Sequence, residues 1–227
     1  MTDTKRTFIK ICGLRRPEDI EAANATKPDA VGFILSKGYR RSVSMSKAHE
    51  LIEKLDPAIA HVGVFVDEPI ERVARFTHAY DFDGYDAPRH VMVQLHGHED
   101  NDYIAQLRHA MAYPGWWGIS IIQAFVVRTA QDVDRACQSV ADYILLDGGA
   151  GSGEAFDWSL LEGVSRPYFL AGGLGSHNLA EAVERLHPYA VDMSSGVETD
   201  GWKDRDKMRA AVTAVRACGG WDACEHE

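Results

Sequence analysis

Residues 8–19, Phe8-Ile9-Lys10-Ile11-Cys12-Gly13-Leu14-Arg15-Arg16-Pro17-Glu18-Asp19, contain a short apolar run, a glycine turn and the start of a helix. Pro17 suits a first helical position, and the acids Glu18 and Asp19 complement the positive end of the helix dipole. The turn between run and helix lacks G-x-G-x-x-G, the fingerprint of an open dinucleotide-binding sheet. The same unit then recurs along the chain. Further apolar runs lie at Ala30 to Leu35, Ala60 to Val66, Val91 to Leu95, Ile119 to Phe125, Tyr143 to Leu146, Tyr168 to Ala171 and Ala190 to Met193, making eight in all. Helical spacing fills the intervals: Pro17 to Ala25, Ser46 to Leu55 behind a capping serine, Ile70 to His78, Asn101 to Ala112, Thr129 to Val140, a short Trp158 to Glu162, Asn178 to Leu186 and Lys203 to Ala217. Strands apolar on both faces, alternating with amphipathic helices, imply a parallel sheet covered by helices. Eight units in 227 residues favour an α/β fold of one closed TIM (β/α)8 barrel over a doubly wound sheet.

The rest of the chain fits a single domain spanning 1–227. Ala79 to His90 reads as a surface insertion before the fourth strand, and 219–227 as a flexible tail. The net charge of −10 argues against nucleic acid or an anionic membrane as partner. It leaves a phosphorylated metabolite open, because backbone N–H groups at helix starts supply local positive potential. No apolar run reaches the roughly 18–20 residues of a membrane span. The polar start, Met1 to Arg6, is not expected to be a secretory signal, and four scattered cysteines (12, 137, 218 and 224) fit a reducing cytoplasm.

In such a barrel the active site forms at the C-terminal ends of the strands. That rule selects Cys12, Gln94, His96, Asp147, Gly172, Gly173, Asp192 and Ser194, with Arg41 in the loop after the second strand. Gly172-Gly173 together with Ser194-Ser195-Gly196 suggests a phosphate cradle after strands seven and eight. Cys12 and Asp147 are the candidate proton-transfer pair. A free thiol has a pKa of about 8.5, so modest help makes it a usable base. A carboxyl following the apolar Ile144-Leu145-Leu146 could be held as an acid. The other reading of these two is a small buried hydrophobe and a turn residue. His96 and His98 lack a third ligand at a recognised spacing, so no metal is expected. Trp116 and Trp117, ahead of the fifth strand, read as packing.

Several blocks occur in order over roughly residues 8 to 216: Lys10-Ile11-Cys12-Gly13-Leu14, Asp29-Ala30-Val31-Gly32-Phe33, Val62-Gly63-Val64-Phe65-Val66, Gln94-Leu95-His96-Gly97, Leu145-Leu146-Asp147, Gly151-Ser152-Gly153 with Phe156-Asp157-Trp158, Leu170-Ala171-Gly172-Gly173-Leu174, and Val191-Asp192-Met193-Ser194-Ser195-Gly196-Val197-Glu198. Together they resemble the phosphoribosylanthranilate isomerase family of tryptophan biosynthesis. The resemblance implies a cofactor-free and metal-free Amadori rearrangement of N-(5-phosphoribosyl)anthranilate, in a monomer or homodimer. By position it makes Asp147 the general acid that opens the furanose ring and Cys12, as thiolate, the base at C2′. Arg41 would hold the anthranilate carboxylate, His96 and Gln94 would line the aromatic side, and Asp192 would orient the sugar. Gly172, Gly173, Ser194, Ser195 and Gly196 would take the phosphate. The chain departs from the pattern at Glu154-Ala155, at Thr199-Asp200-Gly201-Trp202, in the 79–90 insertion, and in the second arginine, Arg40. Alternatives are the histidine-pathway ribotide isomerase, which has an aspartate where Cys12 stands, indole-glycerol-phosphate synthase, and a catalytically silent phosphate-binding barrel.

Overall fold

The computed structural model of the chain describes residues 6–78, 90–112, 119–149 and 157–218. Residues 79–89 of the insertion, Trp116, Trp117, Glu154-Ala155, Cys224 and the 219–227 tail therefore lie outside the described residues. Eight parallel strands close on themselves in sequence order: β1 (Phe8–Cys12), β2 (Ala30–Ile34), β3 (Ala60–Phe65), β4 (Val91–Leu95), β5 (Ser120–Val126), β6 (Tyr143–Asp147), β7 (Tyr168–Ala171) and β8 (Ala190–Met193). The helices α1 (Pro17–Thr26), α2 (Met45–Ile52), α3 (Ile70–His78), α4 (Asn101–Met111), α5 (Ala130–Cys137), α6 (Leu179–Leu186) and α7 (Arg205–Ala217) connect them, with a 3-10 turn at Trp158–Leu161 between β6 and β7.

The period of two along each strand sorts the core into two shells. Ile9, Ile11, Val31, Phe33, Val93, Leu95, Ile144, Leu146, Leu170 and Val191 point outward and pack under the helices. Ala30, Ala60, Val62, Val64, Ile122, Leu145, Phe169 and Ala190 point inward. At the N-terminal end the interior is plugged by aromatics: Tyr143 and Tyr189 stack at 4.7 Å, and Phe169 meets Tyr143 edge-on at 5.6 Å. Toward the other end the filling turns partly polar. Beside Val64 and Ala171, the inward positions there include Lys10 and Cys12 on β1, Gln94 on β4, Asp147 on β6 and Asp192 on β8.

Several boundaries differ from the sequence expectation for identifiable reasons. The cap of α2 is Ser44 rather than Ser46, because its hydroxyl accepts from Lys47 N at 3.1 Å. Helix α5 stops at Cys137, well before Val140. The Arg166 guanidinium takes the carbonyls of Ser139 and Ala141, each at 2.7 Å, and so caps the exit from another part of the chain. Residues 202–203 are not helical either. They pair as β10 (Trp202–Lys203) with β9 (Glu198–Thr199) in a small hairpin, and α7 begins only after Asp204 caps it.

Candidate active site

Period-two alternation puts Lys10 and Cys12 on the same inward face of β1, and barrel closure adds their partners. The β1–β8 register sets Lys10 opposite Asp192, and the β1–β2 register sets Cys12 opposite Gly32. Lys10 is fully buried, and its Nζ donates to Asp192 Oδ2 at 2.8 Å. Glycine at 32 is needed for room: a Cβ there would stand 2.7 Å from Cys12 Sγ and 3.3 Å from Lys10 Nζ. Burial pushes the Cys12 thiol above its ordinary pKa, with Lys10 and Lys203 opposing and Asp192 adding to the rise. Burial thus works against the thiolate that the resemblance implies, and the two lysines work for it. Burial also pulls the Lys10 ammonium down, but Asp192 and Cys12 outweigh it and keep the cation charged.

Asp147 ends β6, three strands away around the barrel by way of β8 and β7. It is half-buried, and its Oδ1 accepts from Gly149 N at 3.0 Å. Gly172, at φ +93°, leaves it space, since a Cβ there would come 2.8 Å from Asp147 Oδ1. Between the two sides sits His96. Its Nδ1 lies 2.9 Å from Gln94 Nε2, an amide donor, so Nδ1 accepts and the ring proton is on Nε2. Burial lowers the His96 pKa, against the pull of Asp147 and Asp192, and favours the neutral ring. Two buried acceptors in this ring of side chains, Asp192 Oδ1 and Gln94 Oε1, have no protein partner. Orphaned acceptors in such a place suit a ligand that brings hydroxyl or N–H donors.

The loops after β7 and β8 lie against each other: a Cβ on Gly196 would fall 1.9 Å from Leu174 O. Gly172 and Gly173 both have left-handed backbones, at φ +93° and +64°. The hydroxyl of Ser194 donates to Cys12 O at 3.0 Å, and its carbonyl accepts from Lys203 Nζ at 3.0 Å. The one proton of that hydroxyl therefore braces the Cys12 strand end in this structure, while Gly172, Gly173, Ser195 and Gly196 are the candidates left without such a commitment.

Of the two arginines, Arg40 has a largely exposed side chain (59%) and Arg41 an inward one (18%). Arg41 lies over Gly13, whose φ of +86° and missing Cβ admit the arginine's Cδ. Glu198 Oε1 and Oε2 accept from Arg41 Nε at 2.6 Å and Nη2 at 2.8 Å. Lys203 and Arg40 also donate to Glu198, each at 2.8 Å. Sequence reasoning missed Lys10, Lys203 and the role of Glu198. A cation inside the apolar run Phe8 to Cys12 was the one legible sign of the first.

Burial pushes the Glu198 carboxyl up, but hydrogen bonds from Arg41 and Lys203 outweigh it and hold the pKa at about 2. A depressed carboxyl stabilises the fold above its unfolded value of 4.5, and that contribution is lost as pH falls toward 2. Between pH 5.5 and 2 the stability advantage of the native chain over Glu198→Gln should shrink by about 3 kcal/mol. Urea unfolding at the two pH values measures it.

A family model described as PRAI, N-(5'phosphoribosyl)anthranilate (PRA) isomerase, matches residues 9–214. The N-(5'-phosphoribosyl)anthranilate isomerase of Clostridium acetobutylicum is 40% identical over 217 residues, which is 92% of this chain and 97% of that one. The crystal structure of the phosphoribosyl anthranilate isomerase of Thermus thermophilus superposes with a TM-score of 0.76 at 32% identity, covering 93% of this chain and 99% of the other. A further phosphoribosyl anthranilate isomerase, solved in complex with reduced 1-(o-carboxyphenylamino)-1-deoxyribulose 5-phosphate, matches with a TM-score of 0.76 at 30% identity and the same coverage. Matched along nearly all its length in both sequence and barrel, the chain belongs to the N-(5'-phosphoribosyl)anthranilate isomerase family of tryptophan biosynthesis.

Proposed function

We propose that the polar ring at the barrel mouth carries out the Amadori rearrangement of N-(5-phosphoribosyl)anthranilate, with Asp147 as general acid and Cys12 as general base. The supporting observation is the placement of an ionisable thiol and a carboxyl at the ends of β1 and β6, facing one mouth beside the glycine loops. Protonated Asp147 gives its proton to the furanose ring oxygen, the C1′–O bond breaks, and a protonated Schiff base forms. The Cys12 thiolate takes the C2′ proton, which leaves an enolamine. Tautomerisation moves the hydroxyl proton of C2′ to C1′ and yields the ketone, 1-(2-carboxyphenylamino)-1-deoxyribulose 5-phosphate. Metal and cofactor have no step in this scheme.

Asp192 Oδ1, a buried acceptor without a protein partner, suits a ribose hydroxyl, while Oδ2 stays on Lys10. The neutral His96 ring, with its proton on Nε2, adds a donor on the aromatic side. Backbone groups of Gly172, Gly173, Ser195 and Gly196 receive the phosphate. Arg41 gives one edge of its guanidinium, Nε and Nη2, to Glu198, and the end formed by Nη1 and Nη2 is left for the anthranilate carboxylate. We place the enzyme in the cytoplasm; no helix among the described residues is long and apolar enough to cross a membrane.

The direct test generates phosphoribosylanthranilate in situ and follows its fluorescence, which should disappear on adding the protein. Persistent fluorescence would remove the reading. If Arg41 grips the carboxylate, Arg41→Lys should raise KM about tenfold or more while kcat stays within about threefold, because a lost fork removes binding common to ground and transition state. Steady-state kinetics with the two parameters separated decide it.

A further inference from the structure

A lysine in the centre of a barrel is costly. Its ammonium must be stripped of water, and a hydrocarbon side chain of similar volume would fill the space at least as well. Lys10 is nonetheless fully buried, with one hydrogen bond to Asp192 Oδ2 and its Nζ beside the Cys12 sulfur over the backbone of Gly32. Asp192 accounts for part of this charge. The glycine accounts for the rest of the arrangement, because any side chain at 32 would meet Sγ and Nζ together.

We infer that Lys10 is a positioning residue for the isomerisation: its ammonium, anchored by Asp192, is the buried counter-charge against which the Cys12 thiolate forms. The inference rests on Cys12 being the base. Lys10 keeps its proton throughout, and the C2′ proton goes to sulfur. Other charges also face the thiol: Lys203 from β10 and Arg41 from the loop after β2 act in the same sense as Lys10, and Asp192 from β8 acts against it. Across the mouth stand His96 and Asp147, which interact with each other. Lys10 differs from the other cations in its commitments. Arg41 and Lys203 are both held by Glu198, whereas Lys10 donates to Asp192 and lies beside the sulfur.

This arrangement predicts opposite effects from its two ends. Removing Lys10 leaves Asp192 opposed at the thiolate by Lys203 and Arg41, both already held by Glu198, and removing Asp192 frees the Lys10 cation for the thiolate. The readout is the thiolate absorbance near 240 nm as a function of pH, in a chain whose Cys137, Cys218 and Cys224 are serine, with the Cys12→Ala trace subtracted. Lys10→Met should move the Cys12 midpoint up by about one unit or more, and Asp192→Asn should move it down. A structural role alone would unsettle both variants without splitting the midpoints in opposite directions. An unmoved midpoint in folded Lys10→Met overturns the inference. Should Lys10→Met not fold, Asp192→Asn decides: a downward shift supports the inference and its absence overturns it. Failure here leaves the base assignment intact, since that is tested separately by the activity of Cys12→Ala.

Discussion

Cys12→Ala should lose about 10³-fold or more in kcat while binding a product analogue within a few-fold of the native affinity. Positioned proton transfer contributes typically 10²–10⁴-fold, and here the proton must come off carbon. The substitution is conservative in space. Cys12 is a buried residue (7% exposed) whose carbonyl, not its side chain, receives Ser194, so the brace on the strand end survives. Deleting one sulfur from the interior costs on the order of 1 kcal/mol, small against the several that a barrel of this length has in reserve. The loss should therefore fall on kcat and spare folding. The residual rate of this variant should decline as pH rises, since only the requirement for a protonated acid remains. A kcat within tenfold of native in the fluorescence assay would eliminate the thiol as base.

Asp147→Asn should cost about 10²–10⁴-fold in kcat as well, and its pH profile should run the other way. Asparagine has the shape of the acid and keeps an Oδ1 to accept from Gly149 N, so the turn after β6 holds. What it lacks is a transferable proton. With the acid removed, the surviving requirement is the thiolate, whose formation burial shifts to higher pH. Residual activity of this variant should keep rising into the alkaline range above the ordinary thiol value of about 8.5. Two variants with opposite slopes would assign the two roles without a structure of the complex. Parallel slopes would show that the pair does not divide the work in this way.

The barrel could be read from the chain because its cause is local. Runs such as Ile144-Leu145-Leu146 are apolar on both faces, and only a sheet buried on both sides accommodates eight of them between helices. The strand ends could be read for the same reason. Cys12, Gln94, Asp147 and Asp192 stand one after another at the C-terminal limits of these runs, where a barrel opens. Helix limits were less legible. Arg166 ends α5 from a distant point in the chain, and the β9–β10 hairpin takes Lys203 away from the helix that its spacing suggested.

The sequence by itself determined the eightfold alternation and the ring of polar residues at one end of it, because both follow from which residues are neighbours along a strand. Closure and register decided the rest. Lys10 meets Asp192 only because β8 pairs with β1 across 182 residues, Ser194 is spent on Cys12 O across the same seam, and Arg41 and Lys203 meet on Glu198 only once the loops are folded over the mouth. Each of these is a charge or a hydrogen bond satisfied by a distant part of the chain. Such partners are chosen by the cost of burying a polar group alone, a quantity that exists only when the interior does.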